Sequence, residues 1–197
     1  MKTTKKLLRS LLITAILVSL CFTSALAAGD NTITINSETN GHTYQAYQVF
    51  AGEYVSASGK MINITWGSGV NSANLLTALK ANATYGASFA SCTTAADVAQ
   101  VINTSYPAST AFANAFAKLI AANLSSTHTD SGTPSGSYTY QITGLDDGYY
   151  FVNEASLGTA PDNAYTKFIL QVVDDVTVSA KTDKPAIALK VLENNDA

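Results

Sequence analysis

The chain has 197 residues, with 14 acidic and 11 basic side chains, a net charge of −3 and only 13% charged residues. Four of the basic residues, Lys2, Lys5, Lys6 and Arg9, crowd the first nine positions. The rest of the chain is acidic, its first lysine is Lys60, and this speaks against nucleic acid as a partner, since phosphate backbones are held by clustered Lys and Arg.

Residues 1–27 read as a signal peptide: a basic start, an apolar run from Leu11 to Phe22, then small residues at Ala25-Leu26-Ala27. The run is shorter than the roughly 20 residues of a spanning helix, and a polar chain succeeds it at once. Cys21 leaves with this leader, and Leu20 before it is too large for a lipoprotein processing site. Cys92 then remains alone, so no intramolecular disulfide can form in a compartment that would permit one. The remaining composition, rich in Thr, Ser, Ala, Asn and Tyr, suits one stiff extracellular module whose polar face is built from hydroxyls and amides.

In chain order, "NTITINSETNGHTYQAYQVFAGEY" reads as two strands about an Asn40-Gly41 turn, with Ile33 and Ile35 alternating and Tyr44 to Phe50 rich in strand-favouring residues. A short strand comes next, from Met61 to Trp66, ended by "GSG". From Asn71 to Leu124 the period changes. Leu75, Leu76 and Leu79, then Val98, Val101 and Ile102, then Phe112, Phe116, Leu119 and Ile120 fall at helical spacing, which predicts two or three helices with their apolar stripes facing the core. "SSTHTDSGTPSGS" is a polar, flexible loop. "YTYQITGL", "GYYFVNEA", "YTKFILQVV" and "DVTVSAK" are four more strands, with a turn at Asp146 to Gly148. Strands on both sides of a helical insertion, without a βαβ rhythm, predict a mainly β, antiparallel sandwich.

Candidate chemistry is sparse. His42 falls in the turn and His128 in the polar loop, so neither a histidine triad nor a zinc site has companions; both read as satisfied or solvated. Asp146-Asp147 and Asp174-Asp175 read as turn residues, because no calcium-loop spacing accompanies them. Cys92 reads as a buried, inert thiol, with a reactive thiol forming an internal thioester as the competing reading. Glu154 is two residues from Val152 and four from Tyr150, hence on their face of the strand. Facing the core it must be protonated or firmly hydrogen-bonded; an exposed strand glutamate is the other reading. No metal or cofactor is called for, and nothing here assembles an enzyme.

"GYYFVNEASLGTAPDNAY" resembles the E-box of Gram-positive sortase-assembled pilins, YxLxETxAPxGY, through Tyr150, Val152, Glu154, Ala160, Pro161 and Tyr165 after a three-residue insertion, with Ala155 and Ala164 replacing threonine and glycine. "GHTYQAYQVFAGE" resembles the opening strand of pilin N-terminal domains. "VTVSAK" resembles the pilin motif WxxxVxVYPK through Val176, Val178 and Lys181, with Val172, Ser179 and Ala180 departing from it.

The resemblance implies an Ig-like, CnaB-like sandwich and a structural role as a shaft subunit of a wall-anchored fimbrium that supports adhesion. Its partners would be a sortase, other pilin subunits in a covalent polymer, and a host surface ligand. An ancillary or tip adhesin on the same scaffold is the alternative. A sortase would join the C-terminal threonine of one subunit to Lys181 of the next, with Lys184 as the rival amine. Residues 28–183 would form the N-terminal domain. Residues 184–197 would be a linker with Pro185 and the first strand of a second domain, in which Lys190 is placed like the lysine of an intramolecular isopeptide bond. With no LPXTG signal in view, the chain reads as the N-terminal part of a longer pilin. Within the present domain such a bond would need a first-strand lysine, and none occurs between Ala27 and Lys60, so Glu154 would be structural, with Tyr150, Pro161 and Tyr165.

Overall fold

The computed structural model describes residues 29–134, 136, 138–156 and 167–180. The strands are β1 (Asn31–Asn36), β2 (Thr43–Val55), β3 (Lys60–Trp66), β4 (Thr129–Asp130), β5 (Thr139–Leu145), β6 (Gly148–Ser156), β7 (Lys167–Val172) and β8 (Val176–Ser179). Between β3 and β4 lie α1 (Ser72–Lys80), a 3-10 turn (Gly86–Phe89), α2 (Ala95–Ser105) and α3 (Thr110–Ala121). This is the sandwich with a helical insertion that the alternation and the change of period predict.

One sheet has three strands in the order β5-β1-β8; the other has five, β3-β2-β6-β7 with β4 also on β2. The pairs are antiparallel apart from β1 and β8, which run parallel with Ile33 beside Val176 and Ile35 beside Val178. The opening segment differs from the hairpin expected about Asn40-Gly41. β1 and β2 belong to different sheets, and the connection between them, with Gly41 at φ 81°, carries the chain across the sandwich. The physical reason is burial: β2 needs cover on both faces, which a two-stranded ribbon cannot provide. The loop after α3 is likewise not wholly without pairing, since Thr129 and Asp130 join Ala46 and Gln45 of β2.

Two cores result. Ile33, Ile35, Tyr44, Ala46, Tyr140, Ile142, Tyr150, Val152 and Val172 fill the space between the sheets. Tyr47, Val49, Phe50 and Phe151 point the other way, into a core shared with Leu75, Leu79, Phe89, Val98, Phe112, Phe116 and Ile120 of the helical insertion. A register shift between Gln48 and Phe50 in the β2–β6 ladder places neighbouring Val49 and Phe50 together in this helix-side core. The helices therefore act as the second cover of the larger sheet.

Their limits are set by local chemistry. Asn71 and Ser109 accept from the N–H groups of Asn74 and Phe112, capping α1 and α3. At α2 the Thr94 side chain accepts from Asp97 N while the Asp97 carboxylate accepts from Thr94 N, a reciprocal capping box. The α3 stripe of Phe112, Phe116 and Ile120 is buried, each such side chain contributing about 2 kcal/mol. Tyr106 stacks on Phe112 at 4.5 Å with 8° between the planes. Gly67 and Gly69 lie against the backbone of β2, where a Cβ at either would collide with Gln48 or Tyr47. Their N–H groups donate to Val49 O and Gln48 O, both at 2.9 Å.

Candidate functional site

The buried polar centre lies at one end of the inner core, where β2 begins and β6 ends. Tyr44 of β2 pairs directly with Glu154 of β6. His42, two residues before Tyr44, continues the same face. Glu154 is 1% exposed and His42 9%. His42 Nδ1 and Glu154 Oε1 lie 2.5 Å apart, while His42 Nε2 meets Thr39 Oγ1 at 2.7 Å. The backbone N–H of His42 donates to the Tyr140 hydroxyl (3.2 Å), which donates to Thr39 O (3.4 Å). Tyr140 belongs to β5, so these bonds tie the two sheets together.

Two tyrosine rings enclose the pair. His42 stacks on Tyr44 at 5.7 Å, Tyr140 meets His42 edge-on at 5.8 Å, and Tyr44 and Tyr140 cross at 5.2 Å and 74°. The Tyr44 hydroxyl makes no hydrogen bond of good geometry. Burial first, and the neighbouring Glu154 charge second, push its pKa up to about 12, with the Ser37 side chain offsetting part of the shift. Tyr150 donates to Asp146 O at 3.0 Å; burial, then the Asp146 charge, also push its pKa up to about 12. Both phenols are neutral at physiological pH, so neither is a base or a nucleophile there.

An internal amide bond would need an amine and a carboxamide or carboxyl beside the acid. The inward positions of the first and last described strands are Ile33, Ile35, Val176 and Val178, all aliphatic. Lys60, Lys80 and Lys118 are exposed, on β3, α1 and α3, and Lys167 opens β7 opposite Asn153 of β6. The partner of Glu154 in the described structure is a histidine, and the arrangement is suited to holding strands together through hydrogen bonds. Alternation along β6 gives Glu154 its direction. Sequence reasoning misses His42 as its partner, although extending the β2 alternation back from Ala46 through Tyr44 leads to it.

The other candidate residues are dispersed. His128 contacts Gln45 Nε2 at 2.9 Å, Asp130 Oδ1 at 3.4 Å and the Tyr47 ring at 5.1 Å, on the outside of the β2–β4 pair. It meets β2 at Gln45 and Tyr47, which alternate with Tyr44 and so belong to the face opposite the His42 cluster. Asp147 is a structural turn residue: one carboxylate oxygen accepts from Asn31 Nδ2 (3.1 Å), the other from Tyr54 N (3.2 Å), linking the start of β1 to the far end of β2. Asp175 accepts from Thr32 N at 2.8 Å and so holds β8 to β1. Cys92 is buried and unpaired by disulfide; burial pushes its thiol pKa up, with the Asp97 charge adding to the shift and Lys80 opposing it. That is the environment of an inert thiol. Among the described residues no group of three His, Cys, Asp or Glu side chains could hold a metal ion.

Pro161, Tyr165, Lys181, Lys184 and Lys190 lie outside the described residues. The last described residue before the three lysines is Ala180, whose N–H donates to Asn36 O at 2.7 Å. Thus β8 is bonded to β1 up to the residue that precedes Lys181. Among the described residues, no helix is long and apolar enough to cross a membrane.

No protein-family pattern matches this chain, and no curated protein matches it in sequence. Among solved structures it is similar to the full-length major pilin SpaD from Corynebacterium diphtheriae, at 16% identity and a TM-score of 0.34, over 77% of this chain and 29% of that one. The chain thus spans less than a third of that pilin's length.

Proposed function

We propose that this chain is the N-terminal domain of a shaft subunit in a sortase-polymerised pilus, exported by its leader 1–27 and joined covalently to other subunits at the cell surface. The observation that carries the reading is the placement of Val176 to Ala180, the described part of the V-x-V-x-x-K stretch. Val176 to Ser179 form the last of the described strands, beside the first of them, and Ala180 still bonds to it. A lysine directly after such a strand leaves the domain at a fixed point, which is what a covalent junction between rigid subunits requires. The E-box-like stretch supports the same reading: Tyr150, Val152 and Glu154 lie side by side in the interior of the sandwich.

The chemistry belongs to the sortase. The Lys181 amine attacks the carbonyl of the threonyl acyl-enzyme formed from a second subunit. A new amide C–N bond replaces the bond to the enzyme, and the amine gives up a proton as it reacts. This chain contributes the nucleophile and the rigid platform that presents it. Pro185 starts a short linker, and Lys190 belongs to the domain beyond it in this reading.

The test is polymerisation of the full-length protein by its sortase. Lys181→Arg keeps the charge and removes the nucleophile, since guanidinium stays protonated, and high-molecular-weight ladders should disappear. Ladders that persist in Lys181→Arg and vanish in Lys184→Arg move the junction to Lys184. Ladders that survive both substitutions contradict the proposed junction altogether.

A further inference from the structure

The buried His42–Glu154 pair has a third member that holding strands together leaves without a task. Thr39 lies on the connection between β1 and β2, three residues before His42, with Gly41 at φ 81° between them. Its Oγ1 is 2.7 Å from His42 Nε2, and Glu154 Oε1 is 2.5 Å from Nδ1 on the other side of the ring. With its proton on Nδ1, the imidazole donates to the carboxylate, and its Nε2 lone pair accepts the Thr39 hydroxyl. A hydroxyl, an imidazole and an acid, each within hydrogen-bond reach of the next, form the arrangement that turns an alcohol into a nucleophile.

The line is held in place from several sides. The His42 ring stacks on Tyr44 at 5.7 Å and meets Tyr140 edge-on at 5.8 Å. The Tyr140 hydroxyl accepts from His42 N and donates to Thr39 O, while Ser37 Oγ accepts from Thr39 N. The backbones of both residues are thereby pinned. His42 and Glu154 are buried, whereas Thr39 is half-buried between exposed Glu38 and Asn40. The base is shielded from water and the residue that bears the hydroxyl lies at the rim, open to an acyl group from outside.

We propose that Thr39 is a nucleophile for acyl transfer, with His42 as its general base and Glu154 as the positioning residue that orients the ring. The class of acyl donor follows from the hydrogen bonds around the hydroxyl. The N–H groups of Thr39 and His42 are committed to Ser37 and Tyr140, so neither stabilises an oxyanion. The donor must therefore bring its own good leaving group, as an activated ester or a thioester does and an amide does not. Thr39 Oγ1 attacks the carbonyl carbon, and its proton passes to His42 Nε2. The bond from that carbon to the leaving oxygen or sulfur then breaks, His42 returns the proton to the leaving group, and Thr39 keeps the acyl group as an ester. The step needs no oxidant or reductant, and it is independent of the lysine junction proposed above.

The experiment incubates the secreted protein with p-nitrophenyl acetate, follows acetylation by intact mass and locates it by peptide mapping. Thr39 should be acetylated in the folded protein, while Thr93, whose hydroxyl meets the Asp97 carboxylate, stays unmodified. Thr39→Val should abolish the modification and Thr39→Ser restore it. His42→Gln should slow acetylation of Thr39 about a hundredfold, as expected for loss of a general base. Glu154→Gln should slow it too, with the half-saturating ester concentration unchanged, because that carboxylate acts only through the ring. Wild type unfolded in urea loses the alignment and should lose the labelling, an arm that does not depend on how well any variant folds. Folded wild type without acetyl-Thr39, or Thr39 acetylated at the wild-type rate in His42→Gln or in urea, overturns the inference and leaves the three residues as a hydrogen-bonded strut.

Discussion

Replacing Glu154 by Ala removes one partner of a hydrogen bond that is sealed from solvent on both sides. Glu154 and His42 are 1% and 9% exposed, and Nδ1 and Oε1 are 2.5 Å apart. Breaking a buried pair of this kind from one side costs about 3–5 kcal/mol, because the remaining group is left desolvated among Tyr44 and Tyr140. Glu154→Gln retains the volume and one acceptor oxygen, so it should cost less, about 1–2 kcal/mol. The assay is urea unfolding of the secreted protein with equal slopes verified between variants, repeated for His42→Ala and for the double variant. The cycle should return a coupling of at least about 1 kcal/mol, as expected for residues in contact. A cost below about 1 kcal/mol for Glu154→Ala, or additive single and double variants, would refute the claim that this pair holds the start of β2 to the end of β6. An intact mass for Glu154→Gln higher than its sequence difference from wild type explains would show a bond formed with loss of ammonia or water, and Glu154 as its catalyst.

Ala108 adopts φ 58° in the Tyr106-to-Ser109 turn between α2 and α3, and a left-handed alanine costs about 1 kcal/mol; Ala108→Gly should raise stability by about 0.5–1 kcal/mol in the same unfolding assay. The Asp97 carboxylate accepts from Thr93 N, the largest cause, and from Thr94 N, which depresses its pKa to about 2. A depressed folded-state pKa stabilises above the unfolded value near 4 and the effect is lost as pH falls toward 2, so the stability gap between wild type and Asp97→Asn should be largest near neutrality and close at about pH 2. Cys92 should react with a thiol reagent only after unfolding; fast labelling of the native protein would contradict its buried, raised-pKa setting.

Much of the architecture was legible because burial imposes a period. Ile33 and Ile35, and the Phe112, Phe116 and Ile120 stripe, identify strand and helix through the face each must hide. The sheet to which each strand belongs was not legible. Asn40-Gly41 has the chemistry of a hairpin turn, yet the strands on either side pair with β5 and β6, which lie a hundred residues away. Local preference sets the bend, and the distant partners decide which sheet receives the chain. The parallel meeting of β1 and β8 is equally nonlocal. At the candidate site, alternation along Tyr150, Val152 and Glu154 gives a buried acid, while its partner arrives from another strand as a histidine that local sequence places in a turn. Cys92 reads as a buried, inert thiol with a thioester-forming thiol as the rival, and the helix-side core around it supports the first reading.

The most direct test of the central account is peptide mapping of the polymerised protein by tandem mass spectrometry. A protease digest of purified fibres should contain a branched peptide in which the carboxyl of a C-terminal threonine is joined to the side-chain amine of Lys181. A branch at another lysine, or fibres that dissociate into monomers in hot detergent and contain no branched peptide, would contradict it.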